Sequence, residues 1–138
     1  MKRREWLLLL LDGGMDPIRI QKGMFLFAME SGAPSPELYR FEPYNWGPFS
    51  RPIYGDLEAL EADGLIERVP VRGATYAQYR RTSAGNAAAE RLSGKANPGH
   101  LGYLLQLRTN VASATFDRLL RGVYKKYPEY ASRSIFNQ

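Results

Sequence analysis

The sequence predicts an α+β fold, mainly helical, in which a winged helix-turn-helix with a small antiparallel β-hairpin wing precedes a helical C-terminal extension. Three features between residues 50 and 81 indicate this fold: a capped amphipathic helix, a glycine that ends it, and two strand-like segments around a short turn. A helix, a tight stop and a hairpin follow one another in this order in winged-helix domains.

The predicted helix covers residues 50–63 and has a start and a stop signal. Ser50 can accept a hydrogen bond from the free amides of the first turn, and Pro52 lies in that turn, where a missing N–H costs nothing. Gly64 follows as a left-handed stop. The apolar residues fall at helical spacing on one face, which we expect to be buried: Ile53, Leu57 and Leu60, with Tyr54 beside them.

The predicted wing consists of two strand-like segments, residues 65–71 and 76–81, on either side of the turn 72–75. We expect the two segments to pair antiparallel. Leu65 and Ile66 should be buried, since they continue the apolar face of the preceding helix.

Two helices are predicted before this region, over residues 3–12 and 17–31. A pair of glycines ends the first, while Asp16 caps the second and Pro17 occupies its first position. The second helix should be largely buried, because apolar residues cover much of its surface: Ile20, Met24, Phe25, Leu26, Phe27 and Ala28.

A short strand over residues 39–44 is predicted between the second and third helices, and Pro43 confines it to a sheet edge or a strand end. Aromatic residues are dense here: Tyr39, Phe41, Tyr44, Trp46, Phe49 and Tyr54. They can form a stacking or partner-binding surface, but packing is the favoured interpretation, with Tyr44 and Trp46 showing an edge to solvent. Gly47 should provide a positive φ or a close approach of a neighbouring chain segment.

The C-terminal half is predicted to be helical, with helices over residues 83–92, 99–110 and 112–127. The stretch 93–98 has the composition of a linker. The predicted organisation is a winged-helix domain over residues 1–92, a linker over 93–98 and a C-terminal extension over 99–138, packed as one domain.

Composition places the chain among ordinary globular proteins, with 44% hydrophobic and 24% charged residues. There is no cysteine, so neither a disulfide framework nor a thiolate metal site is available. The apolar stretch 6–11 is shorter than the core of about 7–15 residues that a signal peptide needs and the roughly 20 that a membrane span needs. We expect a cytoplasmic protein that does not insert into membranes.

Signals for catalysis are poor, so a non-enzyme without cofactor or metal is predicted. The single histidine, His100, follows a turn and has no partner at a metal-ligand or acid–base spacing. No phosphate-binding glycine loop and no nucleophile elbow occurs. The acidic residues of the helix 50–63 are best explained as a solvated face: Asp56, Glu58, Glu61 and Asp63.

Charge is distributed unevenly along the chain. Residues 1–64 hold 7 basic and 10 acidic side chains, whereas residues 65–138 hold 12 and 4. A basic half can mark a phosphate-facing surface, or it can be an ordinary solvated surface. The candidate nucleic-acid-binding residues are the cation in the first turn of the helix 50–63 and the cations of the wing: Arg51, Arg68, Arg72, Arg80 and Arg81. The acidity of that helix argues against direct groove readout.

The helix 112–127 has a basic face and a broad apolar face. The apolar face can be core, a dimer seam or a partner groove, and we predict that it contributes to a homodimer. The predicted interface residues are Phe116, Leu120, Val123, Tyr124 and Tyr127.

Several segments resemble small prokaryotic winged-helix proteins of the YwgA-like type and, more distantly, SocA/Panacea antitoxin-type domains. The matching segments are residues 20–26, 41–50, 56–60, 64–66, 79–85 and 124–131. Trp46 and the pair Arg19-Ile20 depart from the usual pattern. The resemblance implies the winged-helix fold and a role as a regulator, an antitoxin or a defence-associated accessory protein, with no catalytic residues to carry over.

These observations predict a non-catalytic winged-helix binding module. The leading hypothesis is a nucleic-acid-associated regulator that binds double-stranded DNA as a dimer. The rival is an antitoxin-like or adaptor module that binds a protein and does not bind DNA.

Overall fold

The computed structural model describes residues 1–136 of the 138-residue chain. The described part is an α+β fold, about 60% helical, with six helices and two small antiparallel sheets. The helices are α1 (Arg3–Leu10), α2 (Pro17–Glu30), α3 (Arg51–Ala62), α4 (Ser83–Lys95), α5 (Pro98–Ser113) and α6 (Phe116–Lys126). The strands are β1 (Glu42–Tyr44), β2 (Gly47–Phe49), β3 (Ile66–Pro70) and β4 (Ala77–Arg81).

The core is built around α1, whose side chains from Trp6 to Leu10 are all buried, as is Leu11 at its C-cap. A helix that is apolar on every side needs neighbours on every side; α2, α3, α4 and α5 supply them. Trp6 satisfies its indole by donating to Oε1 of Glu37 at 2.9 Å. No helix among the described residues is long and apolar enough to cross a membrane.

The helix-and-hairpin region folds as predicted from the sequence. Ile53, Leu57 and Leu60 are buried on one face of α3, and β3 pairs antiparallel with β4, with Ile66 opposite Arg81. Gly64 has a φ of +75° and ends the helix. Leu65 was expected to be buried but is half-buried, while its carbonyl accepts a hydrogen bond from the Thr82 amide at 3.1 Å.

A third chain segment joins this hairpin. Met15, between α1 and α2, forms an antiparallel bridge with Tyr79 of β4. The two residues exchange backbone hydrogen bonds of 2.9 Å in both directions. The β3–β4 hairpin is thereby attached directly to the segment before α2.

The strand predicted over residues 39–44 is shorter than expected and has a partner that the sequence did not reveal. Only residues 42–44 are extended as β1, and they pair antiparallel with β2. Prolines face each other in the middle of this hairpin, since Pro43 is opposite Pro48. Neither proline has an N–H to donate, so this pair is at a non-hydrogen-bonded position and the ladder bonds belong to the flanking pairs, Glu42–Phe49 and Tyr44–Gly47.

The C-terminal half corrects two predicted boundaries. Helix α4 continues to Lys95, so the predicted linker 93–98 is helical over its first half and the connection to α5 is only Ala96-Asn97. Helix α6 begins at Phe116 rather than residue 112, because Thr115 caps it by accepting from the Arg118 amide at 3.2 Å. Since α5 packs on α2 and α1, the helical extension shares the core of the first 92 residues.

Candidate binding site

The predicted wing cations are mostly paired within the chain. Arg68 forms an ion pair with Glu61 at 3.1 Å, and Arg80 forms one with Glu67 at 2.8 Å. Both pairs are solvent-exposed and are therefore worth little to stability. They nevertheless place a carboxylate beside two of the guanidinium groups that were expected to face phosphate.

Arg81 has a structural position. Its side chain lies near the end of α1, with 3.3 Å between its guanidinium and the Asp12 carboxylate. It also donates to Oδ1 of Asn86 at 3.0 Å and to the Leu8 carbonyl at 3.4 Å. Burial lowers the pKa of Arg81, and Asp12 partly offsets this effect. A replacement of Arg81 would disturb the packing of β4 on the end of α1, so the role of this side chain is at least partly structural.

Two predicted cations remain without such partners. Arg51, in the first turn of α3, and Arg72, in the wing turn, are exposed and form no ion pair among the described residues. The acidic face of α3 stays largely solvated, but Asp56 accepts a 2.6 Å hydrogen bond from the Tyr39 hydroxyl. Burial, and then this bond, raise the pKa of Tyr39.

The apolar face of α6, predicted to form a dimer seam, is covered by the chain itself. Leu120, Val123 and Tyr124 are buried in a small second core around Phe25 of α2. Phe116 and Tyr127 are half-buried in the same cluster. Of the three roles that the sequence left open for this face, these contacts correspond to core packing, because the turn Pro128–Ala131 and the segment up to Phe136 fold back over α6. A homodimer would require another surface.

Aromatic side chains at the β1–β2 hairpin form a small pocket. Tyr44, Trp46 and Tyr54 line it, and between 37% and 39% of each side chain is exposed. Phe49 packs between the two tyrosine rings, at 5.0 Å from Tyr44 and 5.9 Å from Tyr54 between ring centroids. The pocket has a volume of about 160 Å³. The sequence interpretation, packing with Tyr44 and Trp46 partly exposed, agrees with this arrangement.

Two polar residues of α2 hold this hairpin in place, and the sequence interpretation overlooked both. Gln21 donates to the Ser50 carbonyl at 3.0 Å and accepts from the Ser50 amide at 2.8 Å. It thus fixes the position at which β2 ends and α3 begins. Ser50 is the N-cap residue of α3, but its hydroxyl is buried without a hydrogen-bond partner in the described structure and makes no capping bond. The predicted cap is right in position and wrong in mechanism.

Lys22 is the second of these residues, and it lies beneath the pocket. Only 2% of the residue is exposed, and its Nζ donates to the Pro48 carbonyl at 3.0 Å. Burial lowers the pKa of Lys22 to about 7, against a smaller opposing effect of Asp16. The signal in the sequence was a polar pair, Gln21-Lys22, inside an otherwise apolar helix, where lysine is almost never buried without a reason.

Gly47 permits the close packing of the hairpin on α6. Its φ is +88°, and a Cβ built there would lie 2.9 Å from Cε1 of Tyr124 and 3.4 Å from Cε of Lys22. The expectation of a positive φ or a close approach is confirmed in both respects.

A larger cleft of about 660 Å³ separates α2, α5 and α6. Glu30 in this cleft accepts 2.6 Å hydrogen bonds from the hydroxyls of Tyr103 and Tyr127. It also forms an ion pair with Lys126. Burial alone would raise the pKa of Glu30, but these donors together lower it. Glu30 is therefore fully engaged by donors of the chain itself.

Metal-binding signals are absent from the described part of the chain, where no group of three or more His, Asp or Glu side chains could hold an ion. His100 belongs to no such group among these residues. Its backbone amide donates to Oδ1 of Asn97 at the start of α5.

No protein-family model, curated protein or solved structure matches the chain. The resemblance to YwgA-like and SocA/Panacea proteins therefore stays a prediction.

Proposed function

We propose that this chain is a non-catalytic winged-helix module that binds a protein partner through the aromatic pocket and the first turn of α3. The supporting observation is that three partly exposed aromatic side chains line one pocket: Tyr44, Trp46 and Tyr54. Hydrogen bonds from α2 hold the hairpin that carries this pocket. Aromatic residues in such positions are the commonest energetic anchors of protein interfaces.

The order and pairing of the elements support the winged-helix part of the proposal. Three helices, α1, α2 and α3, precede the β3–β4 wing. The Met15–Tyr79 bridge adds a short third segment to the wing from the α1–α2 connection. In this interpretation β1–β2 is an insertion between the second helix and the recognition helix, and it places the aromatic pocket beside the recognition helix.

Charge supports a protein partner over DNA. Helix α3 would enter the major groove of DNA, yet it carries three acidic residues and one arginine, and Asp63 follows as its C-cap. On the wing, Arg68 and Arg80 each face a carboxylate. Binding to a polyanion would need these pairs to break, which reduces the gain from counterion release.

Partner capture by variants that keep the fold tests the proposal. We expect the wild-type chain to retain a defined partner from a lysate of its source cells, and a Tyr44→Ala/Trp46→Ala/Tyr54→Ala variant to lose it. Tyr76→Ala is the matched control, because Tyr76 is an exposed aromatic in the wing, away from the pocket. Retention of the same partner by the triple variant would refute the proposed surface.

Double-stranded DNA is the second candidate, and one observation favours it. Arg51 and Arg72 are exposed at the start of α3 and at the wing turn, the two positions from which a winged helix reaches DNA. Fluorescence anisotropy with a random duplex over a salt series checks it. If DNA is the ligand, Arg51→Ala/Arg72→Ala should lower the affinity for all sequences and flatten the salt slope by about one unit per lost phosphate contact.

A further inference from the structure

Charge in the aromatic pocket is unbalanced. Ten residues line the pocket, and Lys22 is the only charged residue among them. A ring of aromatic faces can hold a cation, but here Lys22 is part of the pocket lining and its ammonium would repel one. The environment therefore favours an anionic group.

Lys22 has unused hydrogen-bonding capacity. A lysine ammonium carries three donors, and among the described residues Nζ makes one side-chain hydrogen bond, to the Pro48 carbonyl. Buried polar groups are normally satisfied. The two remaining N–H groups of Lys22 are next to a pocket that is open to solvent, and they can donate hydrogen bonds to a carboxylate that enters it.

The surroundings of the pocket have the same sign. The guanidinium of Arg133 lies 5.7 Å from the centroid of the Tyr44 ring, and Arg51 is exposed in the first turn of α3. The nearest acid behind Lys22, Asp16, is held by Arg19 at 2.7 Å. Glu42 is exposed on β1 and is the one acidic side chain of the hairpin.

Size limits the ligand to a single side chain. Sites for drug-sized ligands and cofactors occupy about 300–1,000 Å³, and this pocket has about 160 Å³. It is too small for a nucleotide, whereas the end of an amino-acid side chain fits.

We propose that the aromatic pocket binds the carboxylate of a glutamate or aspartate side chain on the protein partner, with Lys22 as its counter-charge. This proposal rests on the proposed function, since it names what the pocket takes from the partner. The aromatic rings enclose the methylene groups of the acidic side chain, and the ammonium donates to the carboxylate.

Binding of a carboxylate is linked to protonation of Lys22. The opposite charge favours the ammonium form, so affinity should fall as pH rises above about 7, where burial leaves the pKa of free Lys22. Besides Tyr44 and Tyr54 in the pocket lining, two titratable groups face this region. Asp16 is ion-paired with Arg19, and Tyr124 of α6, whose pKa burial raises, donates to Oγ of Ser134 at 2.6 Å.

Side-chain mimics of equal shape and different charge provide the test. Capped glutamate, glutamine and lysine amides are titrated at millimolar concentrations into ¹⁵N-labelled protein, with the Trp46 indole N–H as reporter. The Trp6 indole N–H is the internal control, because Trp6 is fully buried and bonded to Glu37. We expect a saturable Trp46 shift with the glutamate mimic, at least tenfold weaker binding of the glutamine mimic, and none of the lysine mimic.

Lys22→Met should abolish the preference for glutamate over glutamine, and Lys125→Met, an exposed lysine of α6, should leave it intact. Equal binding of the glutamate and glutamine mimics, tighter binding of the lysine mimic, or no saturable shift would each overturn the proposal. Should Lys22→Met be unfolded, a tenfold loss of wild-type affinity for the glutamate mimic between pH 6 and pH 8 remains the required result, and a constant affinity refutes the proposal.

The captured partner separates this inference from the proposed function. Displacement of the glutamate mimic by the partner supports a partner carboxylate in the pocket. If the partner binds and is lost by the aromatic triple variant, but neither displaces the mimic nor responds to Lys22→Met, the proposed function stands and the carboxylate inference fails.

Discussion

Burial of Lys22 predicts a pH-dependent cost to folding. The pKa of its ammonium falls from an ordinary 10.5 to about 7, and one pKa unit corresponds to 1.36 kcal/mol, so protonated Lys22 costs about 5 kcal/mol at low pH. The unfolded chain binds the extra proton between pH 7 and pH 10.5. The free energy of unfolding should therefore rise with pH through this window and level off below about pH 7.

Lys22→Met should remove this slope while filling the same space. The variant leaves the Pro48 carbonyl without its donor, which costs about 1–3 kcal/mol at every pH. We expect Lys22→Met to be more stable than the wild type by about 2–4 kcal/mol at pH 6, where the penalty of about 5 kcal/mol is nearly complete. The advantage should shrink by about 3 kcal/mol at pH 9.5, where the folded-state penalty has mostly gone.

Urea unfolding of both proteins at pH 6 and pH 9.5, followed by tryptophan fluorescence, measures the difference. The tyrosines titrate equally in the two proteins and cancel in the comparison. Lys125→Met is the control, since Lys125 is exposed and should show no pH-dependent effect. A stability difference between wild type and Lys22→Met that is the same at both pH values would refute the reasoning.

Three further predictions concern packing and assembly. Leu57→Ala should lower the free energy of unfolding by about 2–5 kcal/mol, because the side chain is fully buried, as urea unfolding would show. Gly47→Ala should lower the free energy of unfolding by at least about 1–2 kcal/mol because of the left-handed backbone alone, and further because the new Cβ would overlap Tyr124. Gly55→Ala is the control: a Cβ there meets nothing within 4 Å, so this variant should be neutral or stabilising in the same assay. Sedimentation velocity at micromolar concentration should give a 15.6 kDa monomer, since the apolar face of α6 is covered; a dimer would contradict this and require an interface elsewhere.

Local signals in the sequence were sufficient for most of the fold. Asp16 and Pro17 do start α2, and Gly64 does end α3, because caps and stops are decided by neighbouring residues. The antiparallel pairing of β3 and β4 followed from the same logic, since the turn between them is short. Where only local chemistry was needed, the prediction was accurate to one or two residues.

The site needed long-range information that spacing does not carry. The Arg81 side chain contacts Asp12, and Arg68 contacts Glu61; neither pairing follows from periodicity, so both arginines were interpreted as available to phosphate. The cover over α6 comes from residues after Pro128, which have no amphipathic pattern. Lys22 was visible as a polar residue in an apolar helix, but its partner, Pro48, is 26 residues away.

The hairpin β1–β2 explains why two polar side chains of α2, Gln21 and Lys22, are buried. The facing prolines put Pro48 at a non-hydrogen-bonded position, where its carbonyl points away from β1, so this carbonyl and that of Ser50, just after the hairpin, need donors from elsewhere. Gln21 and Lys22 supply them from one turn of α2, and Gly47 lets Tyr124 of α6 close from the other side. An uncharged residue in place of Lys22 would avoid the free-energy cost of burying an ammonium group. A carboxylate that enters the aromatic pocket would offset this cost, because the ammonium that destabilises the free protein would stabilise the complex.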